Sequence, residues 1–247
     1  MIVQAALNGF GVDTMAAWAA FGKIDSLFWM INSAFGIAAT TFVGQNFGAG
    51  KMDRVRKGTR ECLGMALVTA ILLSVILMSA GRFLFGIFTT DANVVEIGLS
   101  MMQIISPTYF LFVFIEVYSG ALRAQGHVIV TTAMTMIGIC VLRVVWVTWI
   151  VPDGTLSQIV ACYPITWLVS AVGMIIYYHY KQKKILDYLE GKMREASEKM
   201  DYEEAASYRD YISAVKTLNE TQRVTMTDGK DMDVICLLYT SPSPRDS

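Results

Sequence analysis

The sequence predicts an all-α fold: a polytopic bundle of membrane helices, a short cytoplasmic helical hairpin and a disordered tail. Three observations predict it. Of 247 residues, 54% are hydrophobic and 17% charged, with 15 Met and 12 Phe. Five apolar runs each reach the roughly 20 residues that a bilayer crossing takes. Charge is divided unevenly, residues 1–184 carrying a net +4 and residues 185–247 a net −5. One chain is thus built for two solvents.

Taken in order, Met1–Phe10 is too short to span and reads as the end of a helix whose start is missing. The full runs are Ile24–Gln45, Cys62–Phe88, Val94–Leu122, Val128–Val151 and Leu156–Tyr180. A buried helix of a soluble protein is also apolar all round, but five in series with so little charge between them point to spans. Pro107 is expected to kink the third, because it removes a backbone donor and crowds the previous turn; membrane helices tolerate this where neighbours satisfy the freed groups. Trp146, Trp149, Tyr177, Tyr178 and Tyr180 read as interface anchors.

The connecting segments set the orientation. Lys51, Arg54, Arg56, Lys57 and Arg60 follow the first run, Arg123 and His127 the third, and Lys181, Lys183 and Lys184 the fifth. The alternate loops hold little positive charge, with Arg82 the exception. The positive-inside rule then places the basic segments in the cytoplasm. The stretch VGQNFGAGKMDRVRKG, Val43–Gly58, looks like a phosphate-binding loop at first sight. It fails the pattern: Met52 follows Gly50-Lys51 where a hydroxyl is needed, Gln45 stands where the first glycine should, and no strand leads in. Gly44, Gly48 and Gly50 are instead expected to end a helix and turn the chain, with the basic cluster against anionic headgroups.

Enzyme chemistry has little support. His127 and His179 lie far apart, and no nucleophile–base pair or metal spacing is present. Cys62, Cys140, Cys162 and Cys236 are scattered, without a disulfide or metal pattern. No cofactor is expected. Ionisable residues within spans are functional candidates by default, which singles out Glu116, Arg143 and Asp25. Glu116 is read either as a carboxylate that binds a coupling cation or compensates a cationic substrate, or as a partner of Arg123 or Arg143. Arg143 is read as a partner of Glu116 or the lining of a polar cavity, and Asp25 as a mouth residue or a plain interfacial charge. Asn8, Asn32 and Gln45 are expected to bond between helices.

Several motifs in series resemble the MATE (multidrug and toxic compound extrusion) family: IVQAALNGFGVDTMAAWA at Ile2–Ala19, FGIAATTFVGQNFGAGKMDRVRKG at Phe35–Gly58, FGIFTTDANVV at Phe85–Val95, ISPTYFLF at Ile105–Phe112, SGALRAQG at Ser119–Gly126 and YPITWLVSA at Tyr163–Ala171. The resemblance covers residues 1–184. It implies the end of helix 7 and helices 8 to 12 of a two-bundle transporter, without the first bundle. It further implies export of a small organic substrate, cations included, coupled to entry of Na⁺ or H⁺, inactive in this piece alone. Gly44, Gln45, Asn46, Gly48, Ala49, Gly50 and Arg54 form the matching loop motif; Glu116, Asp25, Arg143 and Asn32 are the transport candidates. The family uses an acid in helix 10 that matches a position near Phe112, about a turn before Glu116. The implied location is a bacterial plasma membrane.

From residue 185 the character changes. Ile185, Leu189, Met193, Ala196 and Met200, then Tyr202, Ala205, Ile212 and Val215, recur at helical spacing, which predicts two short amphipathic helices over 185–218 folded as a hairpin. The hairpin resembles the UVR motif through which the excision-repair subunits UvrB and UvrC associate, in Leu189, Lys192, Met193, Ala196, Tyr202, Glu204, Ala205, Ala206, Arg209, Asp210 and Ile212. The resemblance implies a UvrB-like partner for Leu189, Met193, Ala196, Tyr202, Ala205, Ala206, Arg209, Asp210 and Ile212. The acidic balance argues against direct nucleic-acid binding. Thr217–Ile235 resembles UvrC beyond its hairpin, and 219–235 reads as that extension. Residues 236–247, CLLYTSPSPRDS, read as a disordered tail and resemble a translated sequencing adapter. Together these pieces predict a chimera, a transporter fragment joined to a repair-protein fragment. The alternative is a membrane-tethered protein-interaction module.

Overall fold

A computed structural model of the protein describes residues 2–151, 154–200, 202, 203, 205–210 and 212. Among these, every element is helical. Helix α1 (Ile2–Asn8) leads to α2 (Val12–Gly48) and α3 (Met52–Phe88). Helix α4 (Ala92–Ile105) passes through a 3₁₀ turn at Ser106–Thr108 into α5 (Tyr109–Ala124). The next span comprises α6 (Val128–Thr135), a π segment (Met136–Val141), α7 (Leu142–Val145) and a second π segment (Trp146–Ile150). Helices α8 (Leu156–Val160) and α9 (Cys162–Glu198) complete it. Five helical stretches are long and apolar enough to cross a membrane.

The spans agree with the composition and differ at their ends. The first begins at Val12 rather than Ile24, since Ala16, Ala17, Ala19 and Ala20 are good helix formers. Composition also marked a change at residue 185, yet α9 runs unbroken from Cys162 to Glu198. The first arm of the predicted hairpin is therefore the end of a 37-residue helix. Helix continuity needs only backbone bonds and has no objection to a change of solvent. The predicted extension 219–235 and tail 236–247 lie outside the described residues, as do 213–218.

Pro107 acts as its chemistry requires. It sits inside the 3₁₀ turn that separates α4 from α5. The Ser106 carbonyl at this break accepts from Tyr109 N–H and also from the Ser74 hydroxyl of α3 at 2.7 Å, which ties α3 to the break.

Helix α2 is central and packs against α3, α4 and α5. Its seam with α5 is closest at two glycines. A Cβ on Gly120 would lie 2.8 Å from the Gly36 carbonyl oxygen, and a Cβ on Gly36 would overlap the Glu116 carboxylate at 2.3 Å. Small residues permit such close approach, which is how helices associate where lipid offers no hydrophobic contrast.

The two turns that carry the basic segments share one design. Gly50 has φ 71° and Gly126 has φ 87°. Gly50 N–H donates to Phe47 C=O and Lys51 N–H to Asn46 C=O; Gly126 N–H donates to Arg123 C=O and His127 N–H to Leu122 C=O. Both are Schellman endings with glycine in the left-handed position. Gly44 and Gly48, expected to help break α2, lie within it; the turn needs glycine only at Gly50.

Candidate functional site

The first cluster forms where α2, α5 and α9 meet, towards the end opposite the basic turns. Both oxygens of Asp25 are engaged: Tyr109 O–H donates to one and Trp29 indole N–H to the other. Trp29 lies one helical turn from Asp25, so its placement is local. Tyr109 is the first residue after the Pro107 turn, 84 positions away in sequence. Rings enclose the pair. Phe28 stacks on Tyr109 with centroids 3.8 Å apart at 8°. Trp29 meets Phe112 edge-on at 4.6 Å and Trp167 at 6.0 Å. Tyr163 lies 5.8 Å from both Trp167 and Trp18.

Arg143 reaches this cluster from α7. Its guanidinium lies 4.0 Å from the Tyr163 ring centroid, and its Nε–H donates to Thr166 Oγ1 at 3.3 Å. The alternative in which it pairs with Glu116 does not occur. Glu116 is answered by Arg123 at 3.8 Å, two turns along its own helix. Asp25, Trp29, Phe112, Arg143 and Tyr163 are all half-buried, so the cluster combines rings with one charge of each sign at an accessible depth.

Asn32 lies between the two carboxylates along α2. It is 3% exposed, and both polar atoms of its amide lack a hydrogen-bond partner. The expected interhelical bond is absent. The residue lines a small cavity with Phe28, Ile31, Phe35, Ala70 and Val113, whose walls near the amide offer no polar side chain except Thr69, which donates to its own helix at Met65 C=O. Asn46 bonds within its helix, to Phe42 C=O, while Gln45 is exposed.

A second polar node ties the basic ends of α3, α5 and α9. Arg56 donates to the side-chain and main-chain oxygens of Gln182 at 2.9 and 3.0 Å, and Gln182 donates to Gln125 at 3.5 Å. Gln125 and Gln182 are buried. Ala49 and Gly50 lie on the exposed turn, and Arg54 is exposed on the first turn of α3. His127 lies beside this node; burial, and then the Lys181 charge, lower its imidazole below the ordinary value of 6.5. Tyr178, expected as an interface anchor, is buried against Tyr118 with centroids 4.5 Å apart. Trp149 and Tyr180 are exposed, as an anchor would be. At the opposite end, Arg82 is paired with Glu96, which accounts for the exception in the charge pattern.

Of the UVR-type positions, Ala196 and Ile212 are buried within the chain, Leu189, Met193, Ala205 and Ala206 are half-buried, and Tyr202, Arg209 and Asp210 are exposed. Met200 stands at the turn after α9 with φ 58°. No group of three metal-ligating side chains gathers among the described residues. The residues that sequence reasoning missed are Trp29, Tyr109, Trp167, Gln125 and Gln182. Only Trp29, at i+4 from Asp25, left a signal to read.

Comparison with known proteins gives two matches along the chain. Residues 1–150 match the MatE family and residues 183–218 the UvrB/uvrC motif. The probable multidrug resistance protein YoeA of Bacillus subtilis is 24% identical over 181 residues, which cover 72% of this chain and 39% of that protein. Human multidrug and toxin extrusion protein 1 is 25% identical over 178 residues, 70% of this chain and 31% of the relative. The UvrABC system protein C of Lachnospira eligens is 55% identical over 53 residues, 22% of this chain and 9% of that protein. The fold resembles a crystal structure of MATE in complex with MaL6 (TM-score 0.62, 19% identity, 72% of this chain, 39% of the other). It also resembles a MOP superfamily transporter from Pyrococcus furiosus (TM-score 0.60, 18% identity, 72% and 39%). The chain thus spans about two-fifths or less of these relatives. MATE family members are transporters, not enzymes. With five spans in the matching fold and a repair-type motif on the end of the last one, the chain is a polytopic membrane protein that belongs to the MatE family and carries a UVR motif after its membrane helices.

Proposed function

We propose that the chain is part of an exporter of small organic molecules driven by entry of Na⁺ or H⁺, and that Asp25 lies at its substrate-binding surface. The observation that carries this reading is a half-buried carboxylate held by two neutral donors within a cage of rings. Tyr109 and Trp29 fix the carboxylate without cancelling its charge. Ring faces attract organic cations, and more so when desolvated, so the cage supports a substrate that is flat, apolar and positively charged. Glu116 is the candidate for the coupling cation: it faces Arg123 at 3.8 Å, and an entering cation competes with that arginine for it. The membrane is a bacterial plasma membrane, with the Gly50 and Gly126 turns and the UVR hairpin on its cytoplasmic side, a reading supported by the gathering of the basic segments at one end of the bundle.

The test is efflux of ethidium from energised cells expressing this chain together with the part of the Bacillus subtilis relative that it does not cover. Efflux is expected from the combination, to stop when the ion gradients are collapsed, and to be abolished by Asp25→Asn or Glu116→Gln with insertion preserved. Efflux that continues with both carboxylates neutralised would overturn the proposal.

A second reading rests on the match at 183–218 and on Tyr202, Arg209 and Asp210, which are exposed beside the buried Ala196 and Ile212. Here the end of α9 and the helical residues after it present a docking edge for a UvrB-like partner. Retention of UvrB by the detergent-solubilised chain, lost on Tyr202→Ala, is the expected result; no retention by the unaltered chain removes the reading.

A further inference from the structure

We infer that the seam between α6 and α9 takes one anionic phospholipid at the end that carries the basic turns. Its phosphodiester lies between His127 and Lys181, and its acyl chains run along the outer side of the seam. The inference rests on the membrane fold and not on the proposed export. Three observations carry it.

First, two bases from different elements meet on one ring. His127, from the Gly126 turn, stands edge-on to the Tyr177 ring with centroids 6.1 Å apart. The Lys181 ammonium lies 5.6 Å from the centroid of the same ring. Burial, and then the Lys181 charge, oppose protonation of the imidazole. No carboxylate pairs with either base among the described residues. Glu116 of α5 is taken by Arg123, and Asp187, farther along α9, is exposed. Two neighbouring bases with no acid between them leave a place for an anion. The ammonium offers three donors and the imidazole N–H another, and a phosphodiester accepts from both through charge-assisted bonds.

Second, the seam is closed through the span and open at this end. A Cβ on Gly138 would overlap the Ser170 hydroxyl, and one on Gly173 would meet Met134 Cε at 3.3 Å. The two helical stretches therefore touch along the membrane part of the seam. His127, Tyr177 and Lys181, at its end, are only half-buried, so a headgroup reaches them from the bilayer surface.

Third, the surroundings suit a lipid rather than a soluble anion. Helical spacing puts Val130 and Ile137 on one side of the seam and Ile176 and Tyr180 on the other, and all four are exposed. Acyl chains gain from these side chains and a free phosphate does not. Lys184 follows Lys181 at i+3 on the same face of α9 and is also exposed, which adds a second ammonium on the water side of the phosphodiester.

The test is native mass spectrometry of the detergent-solubilised full chain, titrated with dioleoyl phosphatidylglycerol or dioleoyl phosphatidylcholine. The first phosphatidylglycerol is expected to bind about fivefold more tightly than the first phosphatidylcholine, the scale of one lysine acting at an anionic headgroup. Lys181→Gln should remove most of that preference, Lys181→Arg should keep it, and His127→Gln should weaken it by a smaller factor. Lys57 provides the comparison: it is exposed on the other basic segment and pairs with Glu61, so Lys57→Gln should leave the first binding event unchanged. Equal binding of the two lipids overturns the inference. So does an equal loss in Lys57→Gln, which would mean diffuse attraction to every basic segment. If excess inorganic phosphate displaces the phosphatidylglycerol, the site serves a soluble anion and the lipid assignment fails.

Discussion

Asp25 and Glu116 both lie on the seam between α2 and α5, yet the seam treats them differently. Asp25 is held by a tyrosine and an indole among rings; Glu116 lies over the bare backbone of Gly36 and faces an arginine. The seam positions are eleven residues apart on α2, about 16 Å at 1.5 Å per residue. Neutral donors satisfy an oxygen's hydrogen bonding and leave its charge in place, whereas a counter-ion satisfies both. The first arrangement leaves a carboxylate with its charge uncancelled; the second ties a carboxylate to an arginine of its own helix. Asn32 lies between them and shows a third condition, a polar group that is buried and unanswered.

The comparison breaks most severely at the crossing itself. Gly120→Ala places a Cβ against the Gly36 carbonyl, which is backbone and cannot swing aside, so thermal unfolding in detergent should report a loss of about 1–3 kcal/mol. Gly36→Ala meets the Glu116 side chain from Cγ to the carboxylate rather than backbone, and a side chain can turn aside, so it should cost less; equal losses would mean that the two glycines do not define the contact.

Next in size, Arg123→Gln leaves Glu116 without its counter-ion and is expected to cost about 1–2 kcal/mol, below the range for fully buried pairs because Glu116 is partly accessible. Adding Glu116→Gln should recover most of that loss. Asp25→Asn, by contrast, has no counter-ion to strand; a double-mutant cycle with Arg143→Gln should give a coupling near zero in the absence of ligand. A large coupling there would erase the distinction between the two carboxylates.

Smaller again, Asn32→Leu removes a buried amide without partners and fills similar space, so it should be neutral or stabilising by about 1 kcal/mol. Destabilisation would mean that the amide has an occupant in its cavity. At the far end of α9, Met200 holds a left-handed conformation that glycine adopts freely, and Met200→Gly should stabilise the turn by at most about 1 kcal/mol. The smallest effect belongs to His127. Its lowered imidazole binds a proton less readily in the folded chain than in the unfolded one, so stability is full above the ordinary value and declines as pH falls through it. His127→Gln should flatten that slope in a series of melting curves between pH 5 and 8.

The spans were legible because composition alone decides which residues leave water, and the turns because glycine and proline act locally. Gly50, Gly126 and Pro107 lie where their backbone chemistry demands. The candidate site was legible only in part. Asp25, Asn32, Glu116 and Arg143 stood out as polar groups in apolar runs, but their partners depend on which helix faces which. Tyr109 meets Asp25 across 84 positions and Gln182 meets Arg56 across 126. Neither tyrosine nor glutamine looks unusual where it stands, and no local period points from one to the other. At residue 185 the composition changes, close to where the UVR match begins at residue 183, while the helix runs on unbroken.

That unbroken helix has a consequence for reach. At 1.5 Å per residue the 37 residues of α9 extend about 55 Å, while the hydrocarbon layer is about 30 Å thick. Roughly 25 Å of rigid rod is left over, enough to clear the headgroups. Met200 therefore stands at the end of a continuous helix that outreaches the hydrocarbon layer, rather than on an unstructured tether.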